Sequence, residues 1–236
     1  MTHQFDSAKE QLLDAALNHV VFDGWGDATF AAAVQDTGLE PEFARACCPR
    51  GGVDLAIAYH QRGDRLMLER FASEDLSNLR YSEKIAALVR FRLEAVSDKE
   101  AVQRGSTLFA LPQNAADGAK LVWGTSDAIW RALDDTSRDA NWYTKRTTLS
   151  AVYSATVLFW LGDQSEDYAD TWAFLDRRIE NVMQFEKFKA QLDASPLFKP
   201  LLAGPKWALS LLKAPPEGVR DDLPGHWSDP TDTKHT

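Results

Sequence analysis

The chain has 236 residues, of which 44% are hydrophobic and 11% aromatic, and its formal net charge is −9 with a pI near 5.0. This length and composition are typical of a soluble globular protein with one large domain or two small ones. The negative charge argues against a general surface for nucleic acids, because their affinity depends largely on lysine and arginine side chains at the phosphates.

The first part of the chain has the hydrophobic spacing of helices, and strand signals are weak throughout. Apolar residues from Leu12 to Val21 line one helical face, and Gly24 is a natural left-handed cap after it. Pro49 ends a later helix. The predicted helices are one that ends at Gly24, a short Ala-rich helix at 29–36 that is closed by Gly38, a third at 41–48 and a longer one at 53–71.

This layout resembles the tetracycline-repressor-type transcription factors over roughly residues 1–65. The matching segments are 12–17 (LLDAAL), Gly24-Trp25, 27–29 (DAT), Gly38-Leu39 and Pro49. The resemblance implies an all-α, repressor-like helical bundle whose first helices form a helix-turn-helix.

The side chains that DNA binding requires are scarce in this region. The third helix has Glu40, Glu42 and a single Arg45, and residues 1–65 contain ten acidic and five basic side chains. Acidic groups repel phosphates, and few basic groups are present to release counterions. We therefore predict a degenerate helix-turn-helix and no nucleic-acid partner.

Cys47 and Cys48 are the two cysteines of the chain. Adjacent cysteines do not readily close an unstrained disulfide, and no second pair is present to complete a zinc site. The pair favours a reducing compartment. We interpret it as a buried pair at a helix end, and a redox-active thiol pair is the alternative.

The remainder of the chain predicts four helices and a polar tail. The third of these helices is apolar on so many sides that we expect it in the middle of a bundle. The tail from Ala214 is rich in Pro, Asp and Gly, and we expect it to be disordered. The helices are predicted at 82–97, 114–134, 141–162 and 166–187, and the domains at 1–72 (helix-turn-helix-like), 73–190 (helical bundle) and 191–236 (amphipathic segment and tail).

Catalytic motifs are missing from the sequence. The five histidines do not form a His-Glu-x-x-His motif or a Glu-x-x-His pair for a di-iron centre. The chain also contains no P-loop, no dinucleotide-binding glycine pattern and no Gly-x-Ser-x-Gly elbow. We predict a protein that is not an enzyme and has no cofactor or metal.

Several segments over about residues 10–187 together resemble the Coq nine family of lipid-binding accessory proteins in ubiquinone biosynthesis. These segments are Ala15-Ala16-Leu17 with Gly24-Trp25, 111–114 (LPQN), 141–146 (NWYTKR), Val152-Tyr153 and 170–175 (DTWAFL).

The resemblance implies a homodimer with the repressor-like fold that binds an isoprenoid lipid or phospholipid in the pocket where a repressor would bind its effector. It also implies an association with the di-iron demethoxyubiquinone hydroxylase, to which the protein would present quinone intermediates. The alternative is a tetracycline-repressor-type regulator that senses an apolar effector.

A long isoprenoid tail needs a deep apolar cavity, which a helical bundle provides between its helices. Apolar and aromatic residues of the predicted bundle are candidates for its wall, and an ordinary close-packed core is the alternative. The candidate lipid-binding residues are Leu121, Trp123, Val152, Tyr153, Thr156, Trp160 and Trp172.

The family's contact surface for the hydroxylase matches a second set of residues here. Exposed aromatic residues at the centre of a patch are common hot spots of protein interfaces. The alternative is that the two aromatic residues at 142 and 143 pack inward. The candidate partner-binding residues are Leu111, Pro112, Asp139, Trp142 and Tyr143.

Residues 196–213 predict a segment that lies on a membrane surface. Lys199, Lys206 and Lys213 recur every seven residues and so fall within about 40° of one another on a helix. Apolar residues occupy much of the remaining circumference, as in interfacial helices, although packing on the bundle or on a dimer mate is the alternative. The apolar candidates for membrane binding are Leu201, Trp207, Leu211 and Leu212.

The first ten residues lack the apolar core of a secretory signal and the Arg-rich character of a transit peptide. We therefore expect a bacterial cytoplasmic protein, peripherally associated with the inner membrane, or a processed organellar protein on the matrix side of mitochondria.

Overall fold

The fold consists of helices throughout the described part of the chain. The computed structural model describes residues 2–96, 98–137 and 140–194, and within these ranges it contains no β-strand. The all-α expectation is therefore confirmed for these residues. The helices are α1 (Thr2–Asp23), α2 (Asp27–Thr37), α3 (Pro41–Cys47), α4 (Gly52–Ser73), α5 (Tyr81–Glu94), α6 (Lys99–Ala110), α7 (Ala115–Ala132), α8 (Ala140–Gly162) and α9 (Ala169–Ala194), with a short 3-10 helix (Glu166–Tyr168) before α9.

Most predicted helices are present with boundaries close to those expected, but one helix was missed. Gly24 and Gly38 have the positive φ expected of left-handed caps after α1 and α2. The prediction of four helices after residue 73 is wrong, because α6 lies where no helix was expected. The last predicted helix is also divided: Asp167 and Tyr168 have positive φ, so the chain turns at the 3-10 helix before α9 begins.

Two hydrophobic clusters form the core. The first joins α1, α2, α3 and the start of α4, and Ala101 of α6 is buried within it. The second joins the end of α4 with α5, α7, α8 and α9. Because α4 contributes to both clusters, it connects the N-terminal helices to the larger bundle.

Trp25 connects the N-terminal helices to α6 and α4. It is almost fully buried, and its indole Nε1 donates a hydrogen bond of 2.9 Å to the carbonyl of Ala101. The first residue of α4 is Gly52, and a Cβ atom there would lie 2.6 Å from the carbonyl oxygen of Gly26 and 2.8 Å from the backbone of Trp25. Only glycine allows this close approach, because the neighbouring atoms are backbone.

We predict that Gly52→Ala lowers the free energy of unfolding by about 1–3 kcal/mol, because the new methyl group must displace the backbone around Trp25. Gly26→Ala is the matched control, since a Cβ at Gly26 meets no atom within 4 Å. Denaturant unfolding followed by circular dichroism measures both variants. Equal stability of the two variants would contradict the packing described for Gly52.

Candidate functional site

The main candidate site is a cavity of about 480 Å³ between α4, α5, α6, α7 and α8, with Trp25 in its wall. This volume falls within the range of small-molecule sites. Most of the lining is apolar, and its larger apolar side chains are Trp25, Leu66, Leu93, Val96, Val102, Phe109, Leu121, Val122, Val157 and Leu158.

Helix α6, which the sequence analysis missed, forms one wall of the cavity. Val102, Gly105 and Phe109 of this helix all line it. Gly118 of α7 lies so close to α6 that a Cβ atom there would be 2.8 Å from the Cβ of Phe109. A sequence signal for this helix did exist, because the carboxylate of Asp98 caps its N-terminus by accepting a hydrogen bond of 2.8 Å from the backbone N–H of Glu100.

Exposed residues of the lining mark where the cavity opens to the surface. Ala110, Ala115, Ala119 and Leu158 line the cavity and are also exposed. Ala110 and Ala115 stand on either side of the turn at 111–114 between α6 and α7. The turn that contains Leu111 and Pro112 therefore lies at the rim of the cavity, and both residues are exposed.

The deep end of the cavity is polar. His60, Arg92 and Tyr153 line it, and each comes from a different helix. Arg92 is almost fully buried and forms an ion pair of 2.6 Å with Asp64. The hydroxyl of Thr125 donates to Asp64 at 2.9 Å and is hydrogen-bonded to Nε2 of His60 at 2.9 Å. These contacts join α4, α5 and α7 around the charge of one guanidinium group.

This environment keeps the imidazole of His60 neutral. Burial and the neighbouring guanidinium of Arg92 lower the pKa of His60 to about 3. Asp64 lies 3.8 Å from Nε2 of His60, and its carboxylate is paired with Arg92. Burial also raises the pKa of Asp64 above its ordinary value and raises that of the Tyr153 phenol. At neutral pH, His60 and Tyr153 are therefore uncharged hydrogen-bonding groups.

Of the residues predicted to bind lipid, Leu121 and Tyr153 line this cavity and the other five lie elsewhere. Val152, Thr156 and Trp160 are buried on other faces of α8, where the Thr156 hydroxyl donates to the carbonyl of Val152. Helix α8 packs against both α7 and α9, so the burial of a residue on α8 does not by itself place it at the cavity.

The two tryptophans in that set have other neighbours. The indole of Trp172 donates a hydrogen bond of 2.8 Å to the carbonyl of Asp167, and the guanidinium of Arg90 lies 4.8 Å from its ring centre. Trp123 belongs to an aromatic cluster with Trp142 and Tyr143, described next.

Trp123, Trp142 and Tyr143 form an aromatic cluster of half-buried rings on α7 and α8. The ring centres of Trp123 and Trp142 are 5.7 Å apart, and those of Trp142 and Tyr143 are 4.7 Å apart. Along α7, Trp123 follows Ala115 by eight residues, or about 12 Å. The aromatic cluster and the rim turn at 111–114 are therefore carried by the same helix.

The buried guanidinium of Arg146 supports the aromatic cluster. Its guanidinium is almost fully buried, donates to Asp127 at 2.6 Å and to Asp135 at 3.2 Å, and lies 4.0 Å from the ring centre of Trp142. The group also donates to the carbonyl of Trp142 at 3.2 Å. These contacts fix the first turns of α8 against the end of α7, so the orientation of the Trp142 ring depends on a buried ion pair.

Some predicted site residues lie outside the described residues. Asp139 is among them, and so is the whole predicted membrane-surface set of Lys199, Leu201, Lys206, Trp207, Leu211, Leu212 and Lys213. Over the described ranges, every helix is too short or too polar to cross a bilayer.

The described residues contain no metal-site arrangement, and both cysteines are buried. Within residues 2–96, 98–137 and 140–194, no group of three or more His, Cys, Asp or Glu side chains has the arrangement of a metal site. Cys47 and Cys48 are both buried, and burial raises the pKa of Cys48 to about 11. A thiol that stays protonated at neutral pH is a poor nucleophile.

Comparison with known proteins identifies related sequences. The COQ9 family model matches residues 115–186, a span that begins with α7 and ends within α9. The mitochondrial ubiquinone biosynthesis protein COQ9 of Rattus norvegicus is 30% identical over 186 residues, which cover 75% of this chain and 59% of that protein. The corresponding protein of Homo sapiens is 29% identical over 187 residues, covering 75% and 58%.

A more distant eukaryote has a similar protein. The probable mitochondrial ubiquinone biosynthesis protein coq9 of Dictyostelium discoideum is 28% identical over 196 residues, which cover 78% of this chain and 62% of that protein. The chain therefore spans between 58% and 62% of the length of these three relatives.

The fold is also similar to that of a solved structure. A TetR transcriptional regulator from Nitrosomonas europaea has a TM-score of 0.61 and 20% sequence identity, over 73% of this chain and 95% of that chain. At this level of identity the likeness concerns the fold alone, and it confirms the predicted repressor-like fold.

The neutral state of His60 predicts how the stability of the protein depends on pH. In the unfolded chain this histidine has its ordinary pKa of 6.5, whereas in the folded protein the value is about 3. The unfolded chain therefore binds the extra proton, so the stability that is present above pH 6.5 is lost as the pH falls towards 3. His60→Gln removes this contribution. The free energy of unfolding should then fall less steeply as the pH is lowered, by up to about 1.4 kcal/mol per pH unit.

Urea unfolding of both proteins at several values between pH 4 and 7 measures this difference. The carboxyl groups of the chain titrate in both proteins and therefore cancel in the comparison. Parallel curves for the two proteins would contradict a neutral, buried His60.

Proposed function

We propose that this chain, which is similar in sequence to the COQ9 family and has a tetracycline-repressor-like fold, is a non-enzymatic accessory protein of ubiquinone biosynthesis. In this proposal the cavity binds an isoprenoid lipid or a quinone intermediate, and the protein presents this ligand to the di-iron demethoxyubiquinone hydroxylase. The observation that carries the proposal is the cavity itself, because an apolar space with a polar deep end suits a molecule with an apolar chain and a polar head.

The position of the cavity mouth supports the presenting role. The mouth lies beside the turn at 111–114, where Leu111 and Pro112 expose apolar surface to solvent. A partner that docks on this turn would cover the mouth of the cavity. A ligand could then pass between the two proteins without entering water. Exposure of an isoprenoid chain to water is unfavourable.

The aromatic cluster extends the proposed docking surface along α7. Its rings are half-buried, so each combines a rigid position with an accessible face. Rigid aromatic side chains are common hot spots, because little conformational entropy is lost when a partner covers them.

A homodimer remains part of the proposal. Leu158 of α8 is 66% exposed and Phe159 beside it is 38% exposed, and the Phe159 ring stacks on Phe174 of α9 with the ring centres 4.5 Å apart. Exposed apolar side chains on α8, beside a half-buried ring of α9, suit contact with a second copy of the chain. We also retain the proposal that residues 196–213 bind a membrane surface, which would bring the protein close to its lipid.

The regulator named among the similar structures favours a second candidate function, that of a repressor with an apolar effector. The charges of the N-terminal helices argue against a repressor function. Arg50 pairs with Asp54 and Asp117, and Arg62 pairs with Glu10 and Asp14, so these guanidinium groups are already neutralised by carboxylates. A site for DNA phosphates needs basic groups that can replace counterions.

Ligand binding is tested by filling the cavity. Val157 lines the cavity from α8, so Val157→Phe should reduce the amount of lipid that co-purifies with the protein several-fold, as measured by extraction and mass spectrometry. Ala151→Phe is the matched control, because Ala151 lies on the same helix, is exposed and does not line the cavity. Lipid-free protein, or equal lipid content in the two variants, would contradict binding in this cavity.

The docking surface is tested by placing a charge on the rim turn. Leu111→Glu should weaken the binding of the hydroxylase by about tenfold or more, since a carboxylate buried without a partner at an interface is costly. Phe22→Glu is the control, because Phe22 is also an exposed apolar residue but lies at the end of α1. Titration calorimetry measures both, and each variant should keep the melting temperature of the unchanged protein. Unchanged affinity of Leu111→Glu would exclude the turn from the interface.

A further inference from the structure

The guanidinium group of Arg92 has one nitrogen with no acceptor among the described residues. Its Nε donates to Asp64 at 2.6 Å, and its Nη2 donates to the carbonyl of His60 at 2.9 Å. The remaining nitrogen, Nη1, donates to no residue that the structure describes. The side chain of Arg92 is 5% exposed and lines the cavity, so this nitrogen faces the space at the deep end of the cavity.

An N–H group that loses water to a ligand and gains no acceptor in return is left in an unfavourable state. In the cavity of this protein most of the surrounding surface is apolar, so the nitrogen gains strongly from an acceptor that a ligand brings. An oxygen atom on the ligand would complete the hydrogen bonding of Arg92. The first property of the ligand at this point is therefore an oxygen acceptor.

The charges around the cavity indicate whether the site favours a neutral or an anionic oxygen on the ligand. The positive charge of Arg92 is balanced by Asp64, and burial together with Arg92 keeps His60 neutral. Arg62, the other guanidinium of the wall, pairs with both Glu10 and Asp14. An anionic head group would therefore enter a buried site without a free counterion, which costs more than a hydrogen bond returns.

Gly63 leaves room for the guanidinium group in this position. A Cβ atom on Gly63 would lie 2.4 Å from Nη1 of Arg92, so the helix backbone of α4 packs directly against the group. The other two nitrogens are fixed by Asp64 and by the carbonyl of His60, so the side chain has little freedom to move away.

We propose that Nη1 of Arg92 recognises an uncharged oxygen acceptor, a carbonyl, ether or hydroxyl oxygen, on an otherwise apolar ligand. This inference rests on the proposed function, because it assumes that the cavity binds a lipid. Arg92 is then the residue that selects ligands by their head group, and the apolar walls select the chain. An alkyl chain with an anionic head and a bare hydrocarbon are both discriminated against at the deep end.

Three ligands of equal length separate these possibilities: dodecan-2-one, dodecane and dodecanoate. Each competes with a fluorescent hydrophobic dye for the full chain, for Gly63→Ala and for the double variant Arg92→Met with Asp64→Leu. The double variant removes both charges together, so it leaves no buried charge without a partner. Gly63→Ala displaces the guanidinium without removing a charge, so the test remains decisive if the double variant does not fold.

In both variants we expect the affinity for dodecan-2-one to fall about tenfold relative to that for dodecane, the loss that one hydrogen bond to a charged donor produces. A ratio that does not change would overturn the inference while leaving lipid binding intact. A larger loss for dodecanoate than for the ketone would overturn it as well, since the site would then bind anions. If none of the three ligands displaces the dye from the unchanged protein, the proposed function fails together with the inference.

Discussion

Burial of the Arg92 guanidinium is the constraint on which the arrangement of the bundle depends. A charge in an apolar interior is tolerated only with a partner and with its hydrogen bonds made. Here α5 provides the guanidinium, α4 provides Asp64, and α7 provides Thr125, whose hydroxyl donates to Asp64. These contacts hold the three helices together around the guanidinium. Tyr153 of a fourth helix, α8, also lines this end of the cavity. The cavity is the space that these helices enclose beside this polar point.

A second buried guanidinium repeats the pattern at the surface proposed for partner binding. Arg146 of α8 pairs with Asp127 and Asp135 and supports the ring of Trp142. Each proposed functional surface, the deep end of the cavity and the aromatic cluster, therefore depends on a buried arginine. The apolar contacts around them stabilise the fold, but the two ion pairs orient the groups that a ligand or a partner would meet.

Helical periodicity and capping residues predicted most of the fold, whereas the cavity depends on contacts that no local pattern contains. Gly24 and Gly38 ended their helices as expected, but α6 was missed although Asp98 marks its N-terminus, because Gly105, Ser106 and Thr107 in its centre have low helix propensity. The sequence predicts Val152, Thr156 and Trp160 as pocket residues because α8 is apolar on most sides. Such a helix gives no indication of which of its faces meets the cavity. His60, Arg92 and Tyr153 meet only after folding, so sequence spacing gave no signal for the polar end.

A crystal structure of the full chain, purified with the lipid that it acquires during expression, tests the central claim most directly. The account predicts elongated electron density between α4, α5, α6, α7 and α8, with an oxygen of the ligand within hydrogen-bonding distance of Nη1 of Arg92. A bundle in which side chains fill this space, or density that lies outside it, would contradict the claim that the cavity is the binding site.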